Sequence, residues 1–165
     1  MTIGQRMAME LSEEIKSAKK MLERLPDEKM DFKPHEKSMT LGSLAKHVAE
    51  LLSWVNATIL YPELDFSKTP YEEKPATSAK EAINLLEKCA SEAIELLNKT
   101  PDERMFENWS LRNGDTIYFT MPKAIVLRTF CMNHFYHHRG QLSVYLRMLD
   151  ISVPGSYGPT ADEQM

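Results

Sequence analysis

CMNHFYHHRGQLSVYLRML, residues 131–149, is the stretch on which the reading of this chain turns. Cys131, His134, His138, Leu142, Tyr145 and Leu149 step through it at intervals of three and four, the spacing that aligns side chains on one face of an α-helix. The face that should meet a core therefore carries two imidazoles one turn apart, where leucines would leave no polar atom to satisfy. The helix is expected to run from about Met121 to Asp150, with Pro122 tolerated in its first turn and Pro154-Gly155 beyond its end.

Working outward, the rest of the chain reads as three more amphipathic helices. Ile3, Met7, Leu11, Ile15, Ala18, Leu22 and Leu25 form the stripe of the first, closed by Pro26. Thr40 can cap a second, whose stripe is Leu41, Leu44, Val48, Leu51, Leu52, Val55 and Ile59 and which ends before Pro62. Ser78 followed by Glu81 is a capping-box pattern opening a third through Ala82, Leu85, Leu86, Cys89 and Ala93, closed before Pro101. Between the third and fourth, WSLRNGDTIYF (109–119) alternates loosely around Asn113-Gly114, a dipeptide suited to a tight hairpin turn. Residues 61–77, with prolines at 62, 70 and 75, read as a long loop, and the tail 153–165 as an extended segment, packed or frayed. Four stripes are buried together most simply in an all-α fold, a four-helix bundle with a short β-hairpin between helices three and four, as one domain over residues 1–165.

The composition narrows the function. With 42% hydrophobic and 27% charged residues the chain is ordinary for a globular protein, and no apolar run approaches the roughly 18 residues of a membrane span. MTIGQRMAMELSEEIK lacks the pattern of a secretory leader, so a cytoplasmic location is expected, with Cys89 and Cys131 as free core thiols. The net charge of −4 and the scattered lysines and arginines give no footprint for nucleic acid, and no membrane role is expected. Paired carboxylates, a glycine-rich phosphate loop and a serine elbow are all missing, which leaves the histidines as the chemistry-bearing residues.

His134 and His138, at i and i+4, can direct ring nitrogens at one ion at about 2.0–2.1 Å. His137 lies close enough to the same stripe that His134 with either neighbour satisfies the spacing. His47, between Leu44 and Leu51 with Trp54 beyond, supplies a third imidazole from the second helix. Three neutral imidazoles and an open position describe a catalytic rather than a fold-holding metal site. Cys131 is an alternative fourth ligand, but a buried free thiol is its simpler identity; His35 reads as a surface residue, and Trp54, Trp109 and the methionines as packing.

NHFYHHRGQLSVYLR (133–147) resembles the C-terminal helix of the DinB-like, YfiT-type bundle proteins, with its histidine, three residues, then His-Arg-Gly-Gln. SLAKHVAELLSW (43–54) resembles the second helix of that family and VPGSYGPTADE (153–163) its closing tail, so the likeness spans about residues 4–163. The resemblance implies His47, His134 and His138 as ligands of a divalent metal such as nickel, zinc or iron, and thereby selects His138 over His137. It also implies a homodimer and, by analogy with members of assigned activity, a thiol-dependent S-transferase acting on a small-molecule substrate with a low-molecular-weight thiol. The lesion-bypass DNA polymerase that shares the family's name is unrelated to it. Arg139 is then a candidate for holding a substrate carboxylate, and Gln141 for hydrogen-bonding a ligand imidazole. The rival readings are a metal-dependent hydrolase, a non-catalytic metal-binding stress or interaction module, and histidines that are merely satisfied polar residues. The 61–77 loop and the hairpin are where substrate contacts would vary.

Overall fold

The computed structural model describes residues 1–68 and 74–164; Pro70, in the middle of the expected loop, lies outside them. Among these residues the chain is mostly helical with a small three-stranded sheet. The helices are α1 (Ile3–Leu22), α2 (Leu41–Glu50), α3 (Ser53–Leu60), α4 (Ala79–Lys99), α5 (Asp102–Met105), α6 (Lys123–Val126) and α7 (Asn133–Met148), with a π-helical stretch, Leu127–Met132, between the last two. The strands are β1 (Glu63–Asp65), β2 (Asn108–Asn113) and β3 (Thr116–Pro122).

α1 starts in a capping box: the Thr2 hydroxyl accepts from the Gln5 N–H at 3.1 Å, and Gln5 Oε1 accepts from the Thr2 N–H at 3.0 Å. It packs on α4, and the approach is closest at Gly4, where an added Cβ would lie 2.1 Å from the Leu97 carbonyl oxygen. Backbone cannot yield as a flexible side chain does, so Gly4→Ala should destabilise the protein by about 1–3 kcal/mol in a urea melt. An unchanged midpoint would show that the two helices can separate freely there.

The second expected helix is broken. α2 begins as anticipated, with Thr40 Oγ1 accepting from the Ser43 N–H at 3.0 Å, but after Glu50 the Trp54 and Val55 N–H groups reach back only three residues, to Leu51 and Leu52. The winding is thus tightened over one turn between His47 and Trp54. At Ser78 half of the expected capping box forms: the hydroxyl accepts from the Glu81 N–H at 3.1 Å, while the Glu81 carboxylate turns to the N–H and hydroxyl of Thr77.

The sheet corrects the sequence reading twice. The hairpin turns on Gly114-Asp115, one residue later than expected, with Asn113 opposite Thr116 and Gly114 at φ +56°. Glycine at the first central position fits a turn that needs positive φ there. The segment read as loop contributes β1, which pairs in parallel with β2 (Glu63 opposite Ser110, Asp65 opposite Arg112). Its short, mixed residues ELD carry no alternation to reveal it. Asp65 secures the turn, accepting from the Gly114 N–H at 2.9 Å and the Ser67 hydroxyl at 2.7 Å, and these bonds hold its carboxyl far below the usual range.

The fourth expected helix is likewise not uniform. β3 runs on through Pro122, and helical winding starts at Lys123. The winding then loosens, and the Asn133 N–H reaches back five residues to the Arg128 carbonyl. α7 ends with Asp150 at φ +57°, the Ile151 N–H bonding Leu146 and the Asp150 N–H bonding Arg147, a Schellman close with aspartate in the glycine position. α2 packs on α4 and α7, α1 on α4 and α7, and the core between them includes Leu11, Leu44, Val48, Leu86, Phe135 and Leu142. A second cluster, Trp109, Leu111 and Val126, joins the sheet to this layer through Phe130. Among the described residues no helix is long and apolar enough to cross a membrane.

The tail is packed. Val153 N–H donates to Asp162 at 2.8 Å and Gly155 N–H to Glu163 at 2.8 Å, while Arg147 pairs with Asp162 and Arg24 with Glu163. Arg147 foremost holds the Asp162 carboxyl below its usual value, and the Gly155 amide does the same for Glu163. Groups with depressed values stabilise the fold above their ordinary pKa, about 3.9 for Asp and 4.3 for Glu, and lose that contribution as pH falls through the folded value. Hydrogen exchange at the Val153 and Gly155 amides should therefore quicken below about pH 4 before the core amides respond. Simultaneous loss of both would exclude a separately held tail.

Candidate metal centre

α2 brings His47 and α7 brings His134 and His138 to one place. Among the described residues these three form the cluster able to hold a metal ion, with ligand atoms all within 4.8 Å of one another. His47 Nε2 lies 3.4 Å from His134 Nε2, and the ring of His138 is 4.5 Å from that of His47 and 4.7 Å from that of His134, centre to centre. Two nitrogens bound to one ion at about 2.05 Å with near-tetrahedral angles stand about 3.3 Å apart, so the His47–His134 pair already fits.

The other ring nitrogens decide the tautomers. His134 hydrogen-bonds the Phe130 carbonyl, His138 Nδ1 lies 2.7 Å from Gln141 Oε1, and His47 Nδ1 lies 3.5 Å from Glu50 Oε1. Acceptors beside the Nδ1 atoms of His138 and His47 suit the tautomer that carries its proton there and leaves Nε2 free to bind an ion. With the protons so placed the three rings offer lone pairs to one point, an arrangement that favours a cation. Burial foremost, with the neighbouring imidazoles adding to it, pushes His134 down to about 4, and burial also lowers His138. Both are neutral near pH 7, the state a metal ligand requires.

One side of the cluster is walled by aromatic rings. Trp54 stands 5.4 Å from His134 and stacks on Phe130 at 4.5 Å, and Phe130 meets Phe119 of β3 at 5.4 Å. Trp54 is also part of the wall of a cavity of about 650 Å³ that continues past Ala57, Tyr61, Pro62 and Leu64, within the size range of small-molecule sites.

With this geometry in place, the model of the DinB family matches residues 4–164. The chain belongs to the DinB family. It is similar to uncharacterized protein YrdA of Bacillus subtilis (strain 168), 29% identical over 152 residues, which span 91% of this chain and 85% of that one. A DinB-like protein from Bacillus cereus ATCC 10987 superimposes with a TM-score of 0.68 at 28% identity, covering 92% of this chain and 95% of its own. The DinB-like protein YjoA of Bacillus subtilis gives 0.71 at 17% identity, with 96% and 98% covered, and shares the fold.

The remaining candidates in this DinB chain fall in different places. Gln141 stands at the Nδ1 of His138. Arg139, one position on and pointing elsewhere, is buried and pairs with Glu14 of α1, while its Nη2 donates to Tyr157 Oη of the tail at 2.5 Å. Its charge is engaged there, which removes the basis for a carboxylate-binding role. His137 is exposed with its ring 4.8 Å from that of His138, and it is not among the clustered ligands. His35 is exposed. Cys131 is buried 3.6 Å from the Thr58 hydroxyl, and burial pushes its thiol up to about 12, so it remains a protonated core residue; Cys89 is also a free buried thiol. Trp109 is core, whereas Trp54 is only partly buried and borders the centre. Two contributors escaped the sequence reading. The Phe130 carbonyl has no sequence signal, but Glu50 sits at i+3 from His47 on one helix, a spacing that would have found it.

Proposed function

We propose that this DinB-family protein is a metal-dependent enzyme that activates a small nucleophile, a thiol-dependent S-transferase taking a low-molecular-weight thiol and a small electrophilic substrate. The observation that carries the reading is the convergence of three imidazole rings from α2 and α7. A divalent ion of the nickel, zinc or iron kind would supply Lewis acidity that lowers the pKa of a thiol at neutral pH. The chain's own residues do the rest. Phe130, Gln141 and Glu50 keep the Nδ1 protons in place and the rings aimed. Trp54 and Phe130 exclude water from one side, and the cavity beside Trp54 offers room for the electrophile. We read α2 with α3, and α6 through α7, as two interrupted members of a four-helix bundle carrying this centre.

Metal analysis of tag-free protein after incubation with nickel, zinc or iron(II) is the first test, and less than about 0.2 equivalents would sink the reading. The loaded protein is then assayed with bacillithiol, mycothiol and glutathione against a common alkylating electrophile, with hydrolysis of an activated ester alongside. Thiol-dependent turnover is expected. Ester hydrolysis alone would move the assignment to a hydrolase, and bound metal without either activity to a non-catalytic module. Sedimentation velocity tests the homodimer that the family resemblance implies.

A further inference from the structure

Resting on the reading of the histidine cluster as a metal centre, we infer that Glu50 is a positioning residue for it, with one carboxylate oxygen steadying His47 and the other held by Lys46. His134 and His138 sit on one helix, where i, i+4 spacing fixes each ring relative to the other. His47 alone comes from α2, so its alignment has to be set separately, and the anchors differ accordingly. His134 uses a backbone carbonyl and His138 a neutral amide, whereas His47 faces a carboxylate. Glu50 Oε1 lies 3.5 Å from His47 Nδ1 and Oε2 lies 3.0 Å from Lys46 Nζ, so the two oxygens serve different partners.

Helix stability does not explain this choice of residue. Glu50 closes α2, and a carboxylate in a last helical turn faces carbonyls that are already negative. Lys46 offsets that repulsion, although lysine four residues before glutamate is the weaker order for such a pair. The side chains of His47 and Glu50 are 15% and 19% exposed, so water screens their interaction only in part. A carboxylate accepting the Nδ1 proton fixes the ring and makes Nε2 a better donor to an ion. Lys46 limits how far Glu50 can move away from that proton.

The test compares Glu50→Ala, Glu50→Gln and Lys46→Met with the wild-type protein, measuring zinc affinity by chelator competition, the visible spectrum of the cobalt(II) form, and the melting temperature of the apoprotein. Glu50→Ala should weaken zinc binding by about 10- to 100-fold and alter the cobalt bands, while Glu50→Gln, which can still accept the proton, recovers part of the loss. Lys46→Met deletes the same ion pair as Glu50→Ala but leaves the contact with His47, so its affinity should stay within about threefold of wild type. Equal weakening in the Lys46 and Glu50→Ala variants would reduce Glu50 to a helix-supporting role and overturn the inference. So would a Glu50→Ala affinity within about twofold of wild type. If Glu50→Ala fails to fold, Glu50→Gln must bind more weakly than Lys46→Met, and the reverse order overturns the inference. Wild-type protein that takes up no zinc removes the metal centre itself, an outcome distinct from wild-type uptake that Glu50 does not influence.

Discussion

His134→Ala is expected to reduce bound metal from about one equivalent to below about 0.2 and to abolish metal-dependent turnover. His134 Nε2 stands 3.4 Å from His47 Nε2, and its loss leaves two imidazoles on different helices. The apoprotein should barely notice, because a half-buried neutral ring that donates one hydrogen bond is worth about 1 kcal/mol. The contrast appears on loading. A ligand at about 1,000 times its Kd adds about 4 kcal/mol, which for a domain of this size raises the melting temperature by roughly 10 °C. Wild-type protein should show that rise and His134→Ala should not. His137→Ala, altered at an exposed residue outside the cluster, is the control and should bind metal normally. Full metal occupancy in His134→Ala would refute the assignment.

Glu14→Ala should have the largest effect on the fold itself. Arg139 is 3% exposed, and its guanidinium pairs with Glu14 and donates to Tyr157, whose own hydroxyl donates to Glu14 at 2.9 Å. Removing the carboxylate strands a buried cation, which costs about 3–5 kcal/mol and lowers the melting temperature by roughly 10 °C. Glu14→Leu combined with Arg139→Met should recover most of that, because neither charge is then left without its partner. Tyr157→Phe, which removes only hydrogen bonds, should cost about 1 kcal/mol. Metal stoichiometry should be unchanged in all three, since the cluster binds through other residues. A Glu14→Ala protein within about 1 kcal/mol of wild type would mean that water reaches Arg139.

The helices were legible in the sequence because burial imposes a period, as with Leu11 and Ala18 of α1 or Leu44 and Val48 of α2. Their interruptions were not. No composition marks the loosened winding at 127–132 or the tightened turn after Glu50, since both are set by what the neighbouring elements require. β1 was invisible because three mixed residues have no period, and the hairpin slipped by one because Asn113-Gly114 and Gly114-Asp115 are both acceptable turns. At the site, spacing put His134 and His138 together and a shared apolar face suggested His47, whereas the partners of Arg139 depend on tertiary placement. Arg139 looked like a ligand-binding cation because sequence cannot show Glu14, 125 positions away, lying against it.

The π-helical stretch Leu127–Met132 also sets the phase between the two ends of the C-terminal helical run. Each residue of an α-helix advances the chain by about 100°, and a π turn takes up one residue more than an α turn. Deleting a single residue here would let ordinary winding resume with the two ends nearly in phase, because an α turn then covers the rotation that the π turn covers with one residue more. Length in this stretch is therefore forgiving and identity is not: a residue can be removed with little rotation of either end, whereas losing the Phe130 ring would open the aromatic wall beside the imidazoles.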